Sequence, residues 1–132
     1  MKKFTLIFLF LGSLLACDSL QAQQLTFDKL EADFGSIAKG KVIEVPFIFT
    51  NNDTRAIIVG QVQTSCGCTA TQWTRTPIAP GASGELRITY DTGLKDQTGA
   101  QTKVVIVIYN YADASPESSR EEKIVLRGTV EQ

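Results

Sequence analysis

Cys66 and Cys68 flank a single glycine in Ser65-Cys66-Gly67-Cys68-Thr69, and Cys17 is the chain's one other cysteine. A thiol pair at this spacing has several uses. In an oxidising compartment the sulfurs can join as a tight disulfide, which needs the Cα atoms within about 6.8 Å and hence a bend at Gly67. Closing so short a loop removes little chain entropy and strains the ring, and strained disulfides are the more oxidising ones, so the spacing also suits thiol exchange. As thiolates the pair suits linear Cu(I), whereas a closed zinc site takes four ligands. Either sulfur can instead bridge to another protein. A plainer alternative makes both cysteines small residues at a strand end, with the motif kept for its turn. No Lys or Arg lies within five residues before Cys66, and Arg75 stands seven residues after Cys68, so the local sequence offers little to lower a thiol pKa.

The remaining chemistry is bounded by what is missing. The 132 residues contain no histidine, and the only methionine is the initiator. This excludes Ser-His-Asp and Cys-His catalysis, histidine-ligated zinc or copper, and a thioether ligand for a soft metal. Thirteen basic residues face fourteen acidic ones, for a net charge of −1. That balance supplies no electrostatic footprint for nucleic acid and no polybasic membrane patch.

Which use applies depends on the compartment. The chain opens with Lys2 and Lys3, runs apolar from Phe4 to Leu15, and reaches Ala16-Cys17. A charged start followed by a short apolar run is the pattern of an export signal, and the run is short of the roughly 20 residues that span a bilayer. Leu14-Leu15-Ala16-Cys17 resembles a bacterial lipobox, which predicts cleavage before Cys17, lipidation of Cys17 and removal of residues 1–16. Cleavage after Ala22 is the alternative. Residues 17–24 then form a short tether and 25–132 one domain, located in the periplasm or at the outer membrane or cell surface as a lipoprotein.

The elements that must position the thiols are strands. In Val42–Asn51, Ile43, Val45, Phe47 and Phe49 alternate with Glu44, Pro46 and Thr50, the period of a half-buried strand, and Pro46, lacking an N–H, places it at an edge or bulge. Leu86, Ile88 and Tyr90 repeat the alternation in Gly84–Asp91. The stretch 103–111 is apolar on both faces from Val104 to Tyr109 and predicts a central strand. Lys123–Glu131 closes the chain with Ile124, Leu126 and Val130 on one side. Shorter candidates are 25–27, 32–34, 56–64 and 70–73. Pro80-Gly81 predicts a type II turn, because Pro presets φ and Gly accepts the positive φ that follows. Asn51 and Asn52 are placed to cap a strand end. Trp73 is expected to pack between the sheets. The whole predicts an all-β, immunoglobulin-like sandwich of seven or eight antiparallel strands, with an OB-type barrel as the rival.

Several landmarks fall in order: Asp33-Phe34-Gly35-Ser36-Ile37 with Gly40, Phe47-Ile48-Phe49-Thr50-Asn51, Ser65-Cys66-Gly67-Cys68-Thr69, Pro77-Ile78-Ala79-Pro80-Gly81, Leu86 to Asp91, Gly99, Lys103 and Leu126-Arg127-Gly128. Together they resemble the bacterial DUF1573 family of exported single-domain proteins. The resemblance implies an immunoglobulin-like fold related to the ASH, SPD-2 and Hydin interaction modules, and it implies no activity. The expected role is a non-enzymatic envelope module that binds another envelope protein, touching the membrane only through a lipid on Cys17, with contacts at sheet edges and at loops 92–101 and 111–122. A thiol-redox or copper-binding protein using Cys66 and Cys68 is the alternative. Gly67, Pro80 and Gly81 are read as turn residues; no catalytic residue, resident metal or cofactor is expected.

Overall fold

The computed structural model describes residues 24–94, 97–115 and 119–132. The leader, Cys17 and Ala22 therefore lie outside the described residues. Eight strands follow one another: β1 (Leu25–Phe27), β2 (Glu31–Ala38), β3 (Val42–Asn51), β4 (Ile57–Thr64), β5 (Thr69–Trp73), β6 (Ser83–Asp91), β7 (Gly99–Tyr111) and β8 (Arg120–Glu131). They build two four-stranded sheets, β1-β3-β6-β5 and β2-β8-β7-β4. The expected sandwich is the observed fold.

Alternation decides which residues meet between the sheets. Leu25, Phe47, Phe49, Leu86 and Ile88 of the first sheet pack with Ile57, Val59, Val105, Val107, Ile124 and Leu126 of the second, all essentially removed from water. Burying one such side chain contributes about 1.5–3 kcal/mol, so this shared layer is the main source of cohesion. β3 is neither an edge strand nor bulged at Pro46, contrary to expectation: it lies between β1 and β6, and its register with β6 is unbroken. Ile48 directs its N–H and C=O toward Asp28, on the β1 side, and Pro46 two residues earlier faces the same way. There β1 has already ended, opposite Phe49, so the missing N–H removes no ladder bond.

The structure corrects three further expectations. One pairing is parallel: β2 runs alongside β8, so the second sheet is mixed. The cause is the crossing after β1, where the chain passes to the opposite sheet without reversing direction. The loops expected at 92–101 and 111–122 are also shorter, because Gly99–Gln101 pair with Val130–Gly128, and Arg120–Glu122 pair with Tyr109–Val107. Their polar composition concealed strands whose backbone groups are satisfied by each other. Likewise β2 extends beyond the expected 32–34, since its bulge at Phe34-Gly35 breaks the alternation. That bulge is built for contact: Gly35 adopts φ 71°, and the Phe34 ring lies over Gly128, where a Cβ would collide with it.

The chain changes sheet five times, and only the β5–β6 and β7–β8 connections stay within one sheet. Among the described residues the buried polar side chains are Asn51, Thr69, Thr92 and Gln97, and each sits at such a crossing. Asn51 donates to the carbonyls of Arg55 and Ile78, both at 2.8 Å, and accepts the Asp53 N–H at 2.9 Å. Its backbone C=O accepts the Gly81 N–H at 2.8 Å. One residue thus ties the β3–β4 crossing to the Pro80-Gly81 turn, where Ala82 N–H closes on Ala79 O at 2.9 Å and Gly81 has φ 78°. Thr92 does the same at the β2–β3 crossing, donating to Lys41 O at 2.7 Å and accepting the Gly40 N–H at 2.9 Å.

Asn51→Ala is expected to lower the unfolding free energy by about 2–3 kcal/mol, because interior carbonyls lose their donors. Urea titration measures it. A loss below about 0.5 kcal/mol, the size of an ordinary surface substitution, would show that other contacts hold this crossing.

Candidate functional site

The β4–β5 crossing carries the cysteines. Ser65 leaves β4 tied to β7, donating its N–H to Val104 O at 3.1 Å and accepting the Val104 N–H on its hydroxyl at 3.2 Å. The chain then turns over Gly67: Thr69 N–H closes on Cys66 O at 3.2 Å, and the Thr64 hydroxyl reaches the same carbonyl at 3.3 Å. This turn brings the Cα atoms of Cys66 and Cys68 to 5.2 Å, and the two sulfurs are bonded as a disulfide. Gly67 makes the bend without entering the left-handed region, and nothing lies within 4 Å of where its Cβ would stand. Its exposed backbone leaves the approach to the bridge open.

The two sulfurs have unequal surroundings. Cys68 is 2% exposed and packs with Tyr90 and Val130, while Cys66 is half-buried at the rim alongside Phe34, Ile37 and Ile43. Each sulfur has a hydrogen-bond donor. The Cys68 N–H points at Cys66 Sγ at 3.1 Å, and the Thr69 hydroxyl lies 3.9 Å from Cys68 Sγ. Beneath them the Tyr90 hydroxyl donates to Gln97 Oε1 at 2.8 Å, and Gln97 in turn donates to Leu94 O. Burial pushes the Tyr90 phenol above its ordinary pKa. The fold also supplies a cation that the neighbouring sequence lacks: the Lys103 ammonium stands 5.5 Å from the centre of the Tyr90 ring. Thr69 and Lys103 were visible only as landmarks of the family resemblance; Thr69 neighbours Cys68 in sequence, whereas the approach of Lys103 to Tyr90 is a product of the tertiary structure. Among the described residues no three Cys, Asp or Glu side chains converge as a metal-binding group.

A family model described as "Protein of unknown function (DUF1573)" matches residues 25–130. The chain belongs to the DUF1573 family. No curated protein matches it. Solved structures with the same fold include the ASH/PapD-like domain 7 of human CEP192, with a TM-score of 0.68 at 9% identity over 83% of this chain and 86% of that one. The VesB protease of Vibrio cholerae gives 0.65 at 18% identity over 81% of this chain, and the periplasmic chaperone SfaE gives 0.57 at 14% over 82%. The DUF1573 chain spans 32% of the VesB structure and 58% of SfaE. At these identities the likeness establishes a PapD-like sandwich and nothing about activity.

Elsewhere in this DUF1573 domain the aromatic residues join the sheets. Trp73 is half-buried against the core and its indole N–H crosses to Val59 O of the other sheet at 2.9 Å, while the Arg75 guanidinium covers the ring at 3.9 Å. At the end opposite the cysteines, the Tyr111 hydroxyl donates to Asp53 Oδ2 at 2.7 Å, and Arg55 lies 3.8 Å over the Tyr111 ring. That hydroxyl is the main reason the Asp53 carboxyl is held below the usual carboxylate range, with the Thr54 and Arg55 N–H groups adding to it. A depressed folded pKa stabilises the fold above the unfolded carboxylate value of about 3.9 and ceases to do so as pH falls through the folded value. Tyr111→Phe is expected to move the Asp53 titration upward, toward that reference. NMR titration of the side-chain carboxyl reads the shift, and an unmoved midpoint would show that the hydroxyl is not the cause.

Proposed function

We propose that this protein is a non-enzymatic interaction module of the cell envelope, held to a membrane by a lipid on Cys17, which docks a partner protein on the outer face of its β2-β8-β7-β4 sheet. One observation carries this reading. Val104, Ile106 and Ile108 of β7 alternate with the buried Val105, Val107 and Tyr109 and therefore face outward. Val125 of β8 lies directly across from Val104, and Ile58 of β4 points to the same side beside Asn110. These five side chains are only half-buried and form an aliphatic stripe along the middle of a sheet surface. An antiparallel layer facing water ordinarily alternates to polar residues there, and a contiguous apolar patch marks an interaction surface. At one end of the stripe the β4 bulge at Gly60 opens a shallow depression lined by Gly60, Gln61, Ile108, Asn110 and Ser119.

The PapD-like fold supports the same reading, since the periplasmic chaperone SfaE shares it. The near-neutral charge argues against nucleic acid as the partner. Export follows the sequence reading: residues 1–16 are removed before Cys17, residues 17–24 tether the domain, and the partner is another envelope protein.

A photocrosslinking side chain placed at Ile106 is expected to yield a discrete adduct in native membranes, whereas the same group at Gln72, on the other sheet, yields none. Equal labelling from both positions, or none from Ile106, would sink the docking face. Radiolabelled palmitate is expected on the wild type and absent from Cys17→Ala.

A further inference from the structure

The disulfide follows Ser65, which is hydrogen-bonded to Val104 at one end of the docking stripe, and the geometry at the disulfide points to chemistry of its own. We propose that Cys66–Cys68 is a thiol-exchange site that accepts electrons from a partner protein's dithiol, with Cys66 as the sulfur attacked and Cys68 as the leaving group. A bridge closing so short a loop removes little entropy from the unfolded chain, so it is a poor staple for a domain already cohered by its core. Its placement is instead suited to reaction. Cys66 is half-buried at the rim beside the exposed Gly67, whereas Cys68 is 2% exposed and packs with Tyr90 and Val130.

The hydrogen-bond donors match the two steps. An incoming thiolate attacks Cys66 Sγ; a new S–S bond forms to the partner, the Cys66–Cys68 bond breaks, and its electron pair leaves on Cys68 Sγ. The Thr69 hydroxyl, 3.9 Å away, is the group positioned to donate to that thiolate. The partner's second thiolate then attacks its own sulfur in the mixed disulfide. The partner departs oxidised, and the electron pair of the broken bond leaves on Cys66 Sγ, toward which the Cys68 N–H already points at 3.1 Å. Two electrons pass from partner to the cysteine pair, and both protons lost by the partner's thiols are available to the two cysteines. A poor leaving group slows exchange, so the residue that stabilises the Cys68 thiolate controls the rate.

The test uses the full chain in native buffer. Reduction of the wild type by dithiothreitol, read by maleimide labelling and mass spectrometry, is expected to go to completion without denaturant. Thr69→Val is expected to slow that reduction about tenfold, the scale of one hydrogen bond to a charged group, while the circular-dichroism spectrum stays unchanged. With glutathione disulfide as probe, the free Cys66 of Cys68→Ser is expected to form an adduct at least about tenfold faster than the free Cys68 of Cys66→Ser, as exposure and thiolate access dictate. Three results would each overturn the proposal: a bridge that is reduced only when the chain is unfolded, adduct formation at Cys68 as fast as at Cys66, or a Thr69→Val protein reduced at the wild-type rate. If the serine variants fail to fold, the first and third measurements decide alone. Photocrosslinking at Ile106 is independent of every sulfur, so failure here leaves the docking reading standing.

Discussion

Two sheets can hide their aliphatic residues only against each other, and the connections that carry the chain across the gap must do so without leaving backbone groups unpaired in a dry interior. This constraint governs the whole molecule. Five of the seven connections cross between sheets, and among the described residues the buried polar side chains Asn51, Thr69, Thr92 and Gln97 stand at three of the crossings, with Thr92 reaching across to a fourth, between β2 and β3. Each exchanges hydrogen bonds with water for hydrogen bonds within the chain, a swap that is modest in net stabilisation but costly to leave undone. The Asp28 carboxylate acts in the same way outside the core, capping Ile48 where β1 gives out.

The β4–β5 crossing differs from the others in being closed covalently. There the chain leaves a β4 held to β7 and enters a β5 held to β6, with a single turn between them. Placing the disulfide in that turn sets one sulfur among core side chains and the other at the rim, an asymmetry that follows from the path of the chain. The Tyr90-Gln97 hydrogen bond and the Lys103 ammonium above the Tyr90 ring complete a polar underside to a cluster that is otherwise apolar. The disulfide thus stands at the rim of the sandwich, and the aliphatic stripe of β7 lies on the outer face of one sheet.

That outer face is set by the length and centrality of β7. Thirteen residues long and paired on both sides, β7 must present alternate side chains to solvent, and it presents valine and isoleucine. β-Branched residues suit a pleated strand wherever they point, so propensity alone does not require a partner. Val125, directly across from Val104, extends the β7 row at one end, and Ile58, across from Asn110, lies diagonal to Ile108 at the other.

Alternation is a property of adjacent residues, so the sequence by itself determined which faces of β3 and β6 are buried, the extent of Val42–Asn51, the Pro80-Gly81 turn and the sandwich class. What depends on partners remote in sequence was settled only by the tertiary structure. The parallel seating of β2 on β8 follows from a crossing without reversal, and the polar ends of β7 and β8 become strands because each supplies the other's hydrogen bonds. For the same reason the sulfurs were legible as a pair but unequal only once folded: burial, and the approach of Lys103 to Tyr90, are long-range contacts that no local spacing encodes.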